Sequence, residues 1–214
     1  MEQLIKNKKL LLFDIDDTLV DSCDAIIQHH IDTAKRMQIR VPEEKEIRDL
    51  LGMPWDKFVQ IVWPDVEIEE FKTAYKSFPK QLPIKIYPGV METLKKLKQS
   101  HTLGIITGRD EHTTYNFIPS LGLDLSLFSV ICHGNSKITK PDPKVFDFAL
   151  EQLSKTGSVF TLDESVFIGD SFVDCRCALA ANIDFIGVLT GVMSKDDFIK
   201  LNVNYISSVN DLVP

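Results

Sequence analysis

Long apolar runs are missing from this 214-residue chain; none approaches the roughly 20 residues that cross a bilayer as a helix. Cationic charge is also in deficit, with 24 Lys and Arg against 31 Asp and Glu, a formal charge of −7. That balance argues against a duplex nucleic-acid partner, which needs a basic stripe to displace counterions. It argues equally against an anionic membrane surface. Cysteine is scarce and scattered, at positions 23, 132, 175 and 177. Such usage suits a reducing cytoplasm, the expected location, rather than a disulfide framework. Cys175 and Cys177 form only a C-x-C with no second pair at ligand spacing, so they read as packing residues and not as a zinc site. Repeats and low-complexity tracts are absent too, which removes solenoid and linker architectures.

What remains is the balance of a folded protein, 44% apolar and 26% charged. A chain of this length buries roughly 70% of its unfolded surface, so its core needs no metal or disulfide staple. Met1–Lys9 leads into Leu10-Leu11-Leu12-Phe13, and acids follow at once. A secretion signal would have small residues there, so the stretch reads as a first buried strand.

Five short, near-continuous apolar runs recur: Leu10–Phe13, Leu103–Ile106, Phe128–Ile131, Ser165–Ile168 and Phe185–Leu189. Continuous rather than alternating character is that of parallel strands buried on both faces. Amphipathic stretches lie between them. Met91, Leu94 and Leu97 share a face, Asp142-Pro143 opens a helix through Leu153, and Asn182 supplies a left-handed stop. The alternation predicts a three-layer α/β sandwich around a parallel sheet. One interval, Asp21 to about Ile86, carries no clear strand. It reads as helices around Ala25–Met37, Glu43–Leu50, Trp55–Val62 and Val66–Phe78, punctuated by prolines. An insertion beside the first strand is a candidate lid, with a proline-rich hinge from Pro79 through Pro88-Gly89. The expected division is a core of residues 1–20 and 87–214 with a helical cap of 21–86.

Chemistry concentrates where strands end. Asp14, Asp16 and Asp17 follow the first strand, and Asp170 and Asp174 follow Phe167-Ile168-Gly169. Ligands of open parallel sheets bind at the carboxyl ends of strands. Carboxylates gathered there repel one another unless a hard, oxygen-loving cation such as Mg²⁺ sits between them. Thr107-Gly108 after a second strand makes an anion cradle at a helix start. Lys140, on a loop stiffened by Pro141 and Pro143, suits a phosphoryl group.

The ordered set Asp14-x-Asp16-x-Thr18, Thr107, Lys140-Pro141-x-Pro143 and Gly169-Asp170-x-x-x-Asp174 resembles the four motifs of the haloacid dehalogenase superfamily. The likeness is nearest to its phosphoglycolate-phosphatase-like branch and runs from about Leu10 to Gly191. The resemblance implies a Rossmann-like core with a mobile helical cap. It implies that Asp14 is the nucleophile and Asp16 the general acid and base, with Thr107, Gly108 and Lys140 binding phosphate. It further implies Mg²⁺ held by Asp14, the Asp16 carbonyl and Asp170, with Asp174 in support. Two departures stand out: Asp17 replaces the commoner glycine and reads as a turn residue with room for a helper role, and Arg109 after Gly108 is a candidate substrate contact.

Alternation along extended backbone puts Asp14 and Asp16 on one side, which suits one carboxylate attacking phosphorus while the other handles the proton. The expected activity is a Mg²⁺-dependent phosphatase acting on a small phosphorylated metabolite: phosphoglycolate-like, a sugar phosphate or a nucleotide. Displacement of halide needs no leaving-group acid, so Asp16 argues against dehalogenation. A phosphosugar mutase is the runner-up. A phosphoacceptor signalling module or a binding protein without activity would use similar residues. The first would carry its aspartate after a middle strand, and the intact acidic set weighs against the second. In the cap, Leu51-Gly52-Met53-Pro54-Trp55 is a loop that can reach the site. His29, His30, Arg48 and Lys57 are candidate polar contacts whose plainer reading is a solvated helix face, and Trp55 and Trp63 read as cap core rather than as stacking residues for a substrate. Phe58, Phe71, Tyr75 and Phe78 fit an interface or that core. His101, His112 and His133 are expected on surface or loops.

Overall fold

Strand β1, Leu10–Phe13, has all four side chains buried. Successive side chains alternate between faces, so Leu11 and Phe13 enter one hydrophobic cluster while Leu10 and Leu12 enter another. A strand with apolar residues at every position is stable only when both faces are covered, and here they are. The other strands are β2 (Thr102–Ile106), β3 (Phe128–Cys132), β4 (Ser165–Gly169), β5 (Asp184–Val188) and β6 (Asn204–Ile206). All pairings are parallel, in the order β3-β2-β1-β4-β5-β6. This computed structural model describes residues 5–78 and 83–213. Met1–Leu4 and the first part of the expected hinge, Pro79–Leu82, lie outside the described residues.

Leu10 and Phe13 of β1 align with Thr102 and Ile105 of β2 on one side, and with Ser165 and Ile168 of β4 on the other. The order reverses at β1, so the carboxyl ends of β1, β2 and β4 open on one crevice. β6 was not expected from the sequence, because Asn204-Tyr205-Ile206 is short, polar in part and lies at the sheet edge. β5 begins and ends one residue earlier than its apolar run.

Between Val20–Asp21 and Lys85–Ile86 the chain departs into four helices: α1 (Cys23–Arg36), α2 (Glu44–Arg48), α3 (Trp55–Val62) and α4 (Ile68–Ser77). The exit and re-entry segments pair antiparallel, Val20 with Ile86 and Asp21 with Lys85. These two-residue strands went unforeseen, being too short for any periodicity. The helices enclose their own cluster of Ile27, Ile31, Ile47, Val59, Val62 and Phe71, separate from the two sheet clusters.

The sheet is sandwiched by helices whose ends obey local chemistry. α5 (Val90–Leu97) packs Val90, Leu94 and Leu97 on the Leu11 and Phe13 face. On the opposite face lie α6 (Lys144–Lys155), α7 (Phe172–Ala181) and α8 (Lys195–Lys200). Asp142 Oδ1 accepts from the Lys144 amide at 3.0 Å ahead of α6. Asn182 closes α7 in the left-handed conformation, φ 56°, a conformation asparagine tolerates. Cys175 and Cys177 are buried free thiols in the core. Among the described residues no helix is long and apolar enough to cross a membrane.

Candidate active site

Asp14 sits one residue past β1 and is fixed there by the sheet, its amide donating to the Ile168 carbonyl at 2.9 Å. Asp170 follows β4, and Asp174 lies one turn into α7. Ser171 and Asp174 lock that helix start reciprocally: Asp174 N donates to Ser171 Oγ at 3.1 Å, and Ser171 Oγ to Asp174 Oδ2 at 2.6 Å. Such a box satisfies otherwise orphaned amides and fixes the Asp174 side chain. Lys140 arrives from the loop before α6, with a cis Lys140–Pro141 peptide. Its side chain is wholly buried, and Nζ donates to Asp14 Oδ1 at 2.7 Å and to Asp174 Oδ1 at 2.6 Å. Asp170 Oδ2 accepts from the Val192 amide at 2.9 Å, and Oδ1 from Thr18 Oγ1 at 3.4 Å.

These contacts gather Asp14, Asp170 and Asp174 so that one oxygen from each lies within 4.8 Å of the others. Burial pushes the Asp14 carboxyl up to about 8, against the pull of Lys140 and with the push of Asp174 and Asp16. Burial also holds Asp170 well above the usual carboxylate range, reinforced by Asp17, Asp174 and Asp14. In Lys140, burial pulls the ammonium down, but Asp14 and Asp174 more than offset it and keep the proton on. One lysine is too little countercharge for three buried carboxylates. The surplus of hard oxygen donors fits a divalent, oxygen-preferring cation, and the trio could hold one.

Asp16 is oriented differently. Its Oδ1 accepts from Ser22 Oγ at 2.5 Å and pairs with the Arg109 guanidinium, so its side chain lies outside the trio. Thr107 is buried, and its Oγ1 accepts from the Arg109 amide at 3.2 Å. Gly108 is pressed against the insertion: a Cβ there would sit 2.7 Å from the Gly52 carbonyl oxygen and 2.9 Å from that of Met53. The Leu51–Trp55 loop therefore touches the strand-end motif directly. Asp17 takes the left-handed conformation, φ 51°, where glycine is unstrained. It is more than a turn residue, because its Oδ1 caps α1 by accepting from the Ser22 and Cys23 amides at 3.0 and 2.9 Å.

A cavity of about 480 Å³ lies between the carboxylates and the helical insertion. Asp14, Asp16, Asp17 and Asp170 line it on one side, and Met53, Trp55, Phe58 and Tyr75 on the other. His29 and His30, expected on a solvated face, are instead buried and line the cavity. His29 Nε2 bonds the Tyr75 carbonyl at 2.8 Å, and His30 Nδ1 the Ile26 carbonyl at 2.7 Å. Trp63 belongs to the insertion's core as expected, whereas Trp55 is half-buried on the cavity wall. Arg48 reaches Cys23 Sγ at 3.3 Å and Asp24 at 3.2 Å, and Lys57 is exposed. The part played by the loop after β5 was missed. A Cβ on Gly191 would fall 2.0 Å from Asp170 Oδ2, and the Thr190-Gly191 pair at a strand end was its only sequence signal.

Residues 11–188 match the family model described as haloacid dehalogenase-like hydrolase. The chain is 28% identical over 208 residues to the phosphoglycolate phosphatase of Colwellia psychrerythraea, covering 90% of this chain and 89% of that one. It is 26% identical over 188 residues to the pyrophosphatase PpaX of Bacillus velezensis, covering 86% and 84%. The fold matches that of a haloacid dehalogenase-like family hydrolase from Streptococcus pneumoniae with a TM-score of 0.77 at 23% identity, covering 97% of each chain.

Proposed function

This chain belongs to the haloacid dehalogenase-like hydrolases, and on that premise we propose that it is a Mg²⁺-dependent phosphatase of a small phosphorylated metabolite. The observation that carries this reading is Lys140 bridging Asp14 and Asp174 beside Asp170 at the carboxyl ends of two adjoining strands. Relatives named as phosphatases support it.

With Lys140 on Asp14 Oδ1, the other oxygen is left to attack phosphorus in line, giving an aspartyl-phosphate and expelling the alcohol. Asp16, two residues on, protonates the leaving oxygen and then takes a proton from the water that hydrolyses the intermediate. Arg109 and Ser22 both hold Asp16 Oδ1, which leaves Oδ2 to carry that proton. Lys140, Thr107 and the Gly108 amide neutralise the equatorial phosphoryl oxygens. Mg²⁺ would be held by Asp14, the Asp16 carbonyl and Asp170 with Asp174 in support, and supplies charge neutralisation at the phosphoryl group. The helices of 21–86 act as a cap over the core of 1–20 and 87–214 and exclude water when closed. The protein works in the cytoplasm, in line with its four free thiols.

Release of inorganic phosphate from a panel of phosphomonoesters tests this, with Mg²⁺ and with EDTA, for wild type and Asp14→Asn. Turnover should require Mg²⁺ and vanish in the variant. Turnover that survived Asp14→Asn would remove that residue as nucleophile, and turnover in EDTA would remove the metal.

A further inference from the structure

The cavity exceeds what a phosphoryl group on a two-carbon acid fills. Its volume of about 480 Å³ equals that of about sixteen water molecules at roughly 30 Å³ each. The wall opposite the carboxylates is built of rings. Trp55 and Tyr75 meet edge to face with centroids 5.7 Å apart, and His30 packs against Tyr75 at 4.6 Å and Phe58 at 4.7 Å. These side chains brace one another, so the wall is formed before any ligand arrives. A small acid would leave those faces wet.

Two residues that line the cavity carry donors without partners. The indole Nε1 of Trp55 and the Nε of Arg109 are both buried, and neither has a hydrogen-bond partner among the described residues. A buried N–H without an acceptor is costly. A planar ligand with acceptor atoms would stack on the rings and, once these two side chains turn toward it, satisfy both donors.

We propose that the leaving group of the substrate carries a planar, nitrogen-containing ring, and that the substrate class is the nucleoside 5′-monophosphates. The inference rests on the phosphatase reading above. The phosphate sits at Asp14, and the base packs against Trp55 and Tyr75 with its acceptors toward Trp55 Nε1 and Arg109 Nε. Water enters, the bond between phosphorus and the 5′ oxygen breaks, and nucleoside and inorganic phosphate leave. No co-reactant is required.

The test compares kcat/KM for adenosine, guanosine, cytidine and uridine 5′-monophosphates with that for ribose 5-phosphate, which lacks only the base. Base–aromatic stacking corresponds to about 5- to 150-fold, so at least one nucleotide should exceed ribose 5-phosphate by about tenfold. Trp55→Phe keeps a ring and removes the N–H, whereas Trp55→Leu removes both. The nucleotide-to-ribose ratio should fall several-fold in the first and further in the second. Being a ratio, it is insensitive to loss of folded protein. A wild-type ratio near or below one overturns the inference while the phosphatase reading stands, and so does a ratio indifferent to both substitutions. If no ester is turned over, the phosphatase reading fails, and equilibrium dialysis against the Asp14→Asn protein decides the inference. Stronger retention of a nucleotide than of ribose 5-phosphate supports it, and equal retention overturns it.

Discussion

Replacing Lys140 by methionine isolates the electrostatics of the site. Methionine keeps an unbranched, apolar side chain but removes the ammonium that bonds Asp14 at 2.7 Å and Asp174 at 2.6 Å. Stripping the partner from a buried ion pair costs about 3–5 kcal/mol where the remaining charge persists. Proton uptake limits that cost, since each pH unit below a carboxyl's folded-state pKa relieves about 1.4 kcal/mol. Lys140 itself does not titrate in the wild type between about pH 6 and 9, because its two carboxylate partners hold the proton on beyond the ordinary lysine value. The difference between variant and wild type across that window therefore belongs to the carboxyls. Asp14 stands at about 8 with Lys140 beside it and moves higher without it. Urea denaturation in metal-free buffer should show a loss of about 3–5 kcal/mol near pH 9, shrinking to about 1–2 kcal/mol near pH 6. A loss independent of pH would refute the reasoning, because it would reduce Lys140 to packing. A loss below about 1 kcal/mol at both ends would mean that the ion pairs contribute nothing net.

Metal-free wild type should itself lose stability as pH rises from about 4 to 8. A carboxyl raised on folding gives stability that is full below its unfolded value and is lost as pH climbs through the folded one; Asp14 does so at about 8 and Asp17 at about 6. The slope approaches at most about 1.4 kcal/mol per pH unit for each group, and a rising curve would contradict the assignment. Mg²⁺ should raise the thermal midpoint of wild type by mass action and leave that of Asp170→Asn nearly unmoved; equal shifts would place the ion elsewhere. Gly108→Ala puts a methyl 2.7 Å from the Gly52 carbonyl oxygen, so the Leu51–Trp55 loop must back away and KM should rise with little change in stability; unchanged kinetics would show that the loop has room. Ser194→Ala removes the acceptor from the Asp197 amide at the start of α8 and should cost about 1 kcal/mol by urea denaturation, with activity intact.

The sheet was legible because parallel strands buried on both faces must be apolar at every position. Leu10–Phe13 has that composition and forms β1 with the same bounds. Ser165–Ile168 lacks only Gly169, whose backbone completes β4. Asn204–Ile206 and the Val20–Asp21 and Lys85–Ile86 pair were not legible. Their hydrogen bonds are made by backbone and specified by neighbours already in place, β5 for the first and each other for the second. Side-chain pattern carries little information about a strand that short.

At the site the same division holds between local and distant causes. Asp14 and Asp170 were legible because each follows a strand end, with Asp174 one helical turn beyond Asp170, and parallel topology sends those ends to one crevice whatever the intervening chain does. Asp16's partner, Arg109, lies 93 positions away in the loop after β2, so the sheet order brings the two together. The insertion is harder still. Helical periodicity separates an apolar stripe from a polar one, but it cannot say whether the stripe meets protein or an internal cavity. Trp63 and Trp55 lie eight positions apart and look alike in sequence. Trp63 Nε1 donates to the Arg40 carbonyl at 2.7 Å, and the ring is core. Trp55 Nε1 finds no such acceptor among the described residues, and the residue lines the cavity that the insertion forms with the sheet. His29 and His30 follow the same rule in reverse: polar by type, they read as solvated, yet backbone carbonyls of α1 and α4 accept their ring N–H groups and let them be buried. In this chain the candidate site residues Asp14, Thr107 and Asp170 are legible by position, each just past β1, β2 or β4. Those on the insertion's side of the cavity are told apart by contacts the fold makes at long range, as Trp55 and Trp63 show.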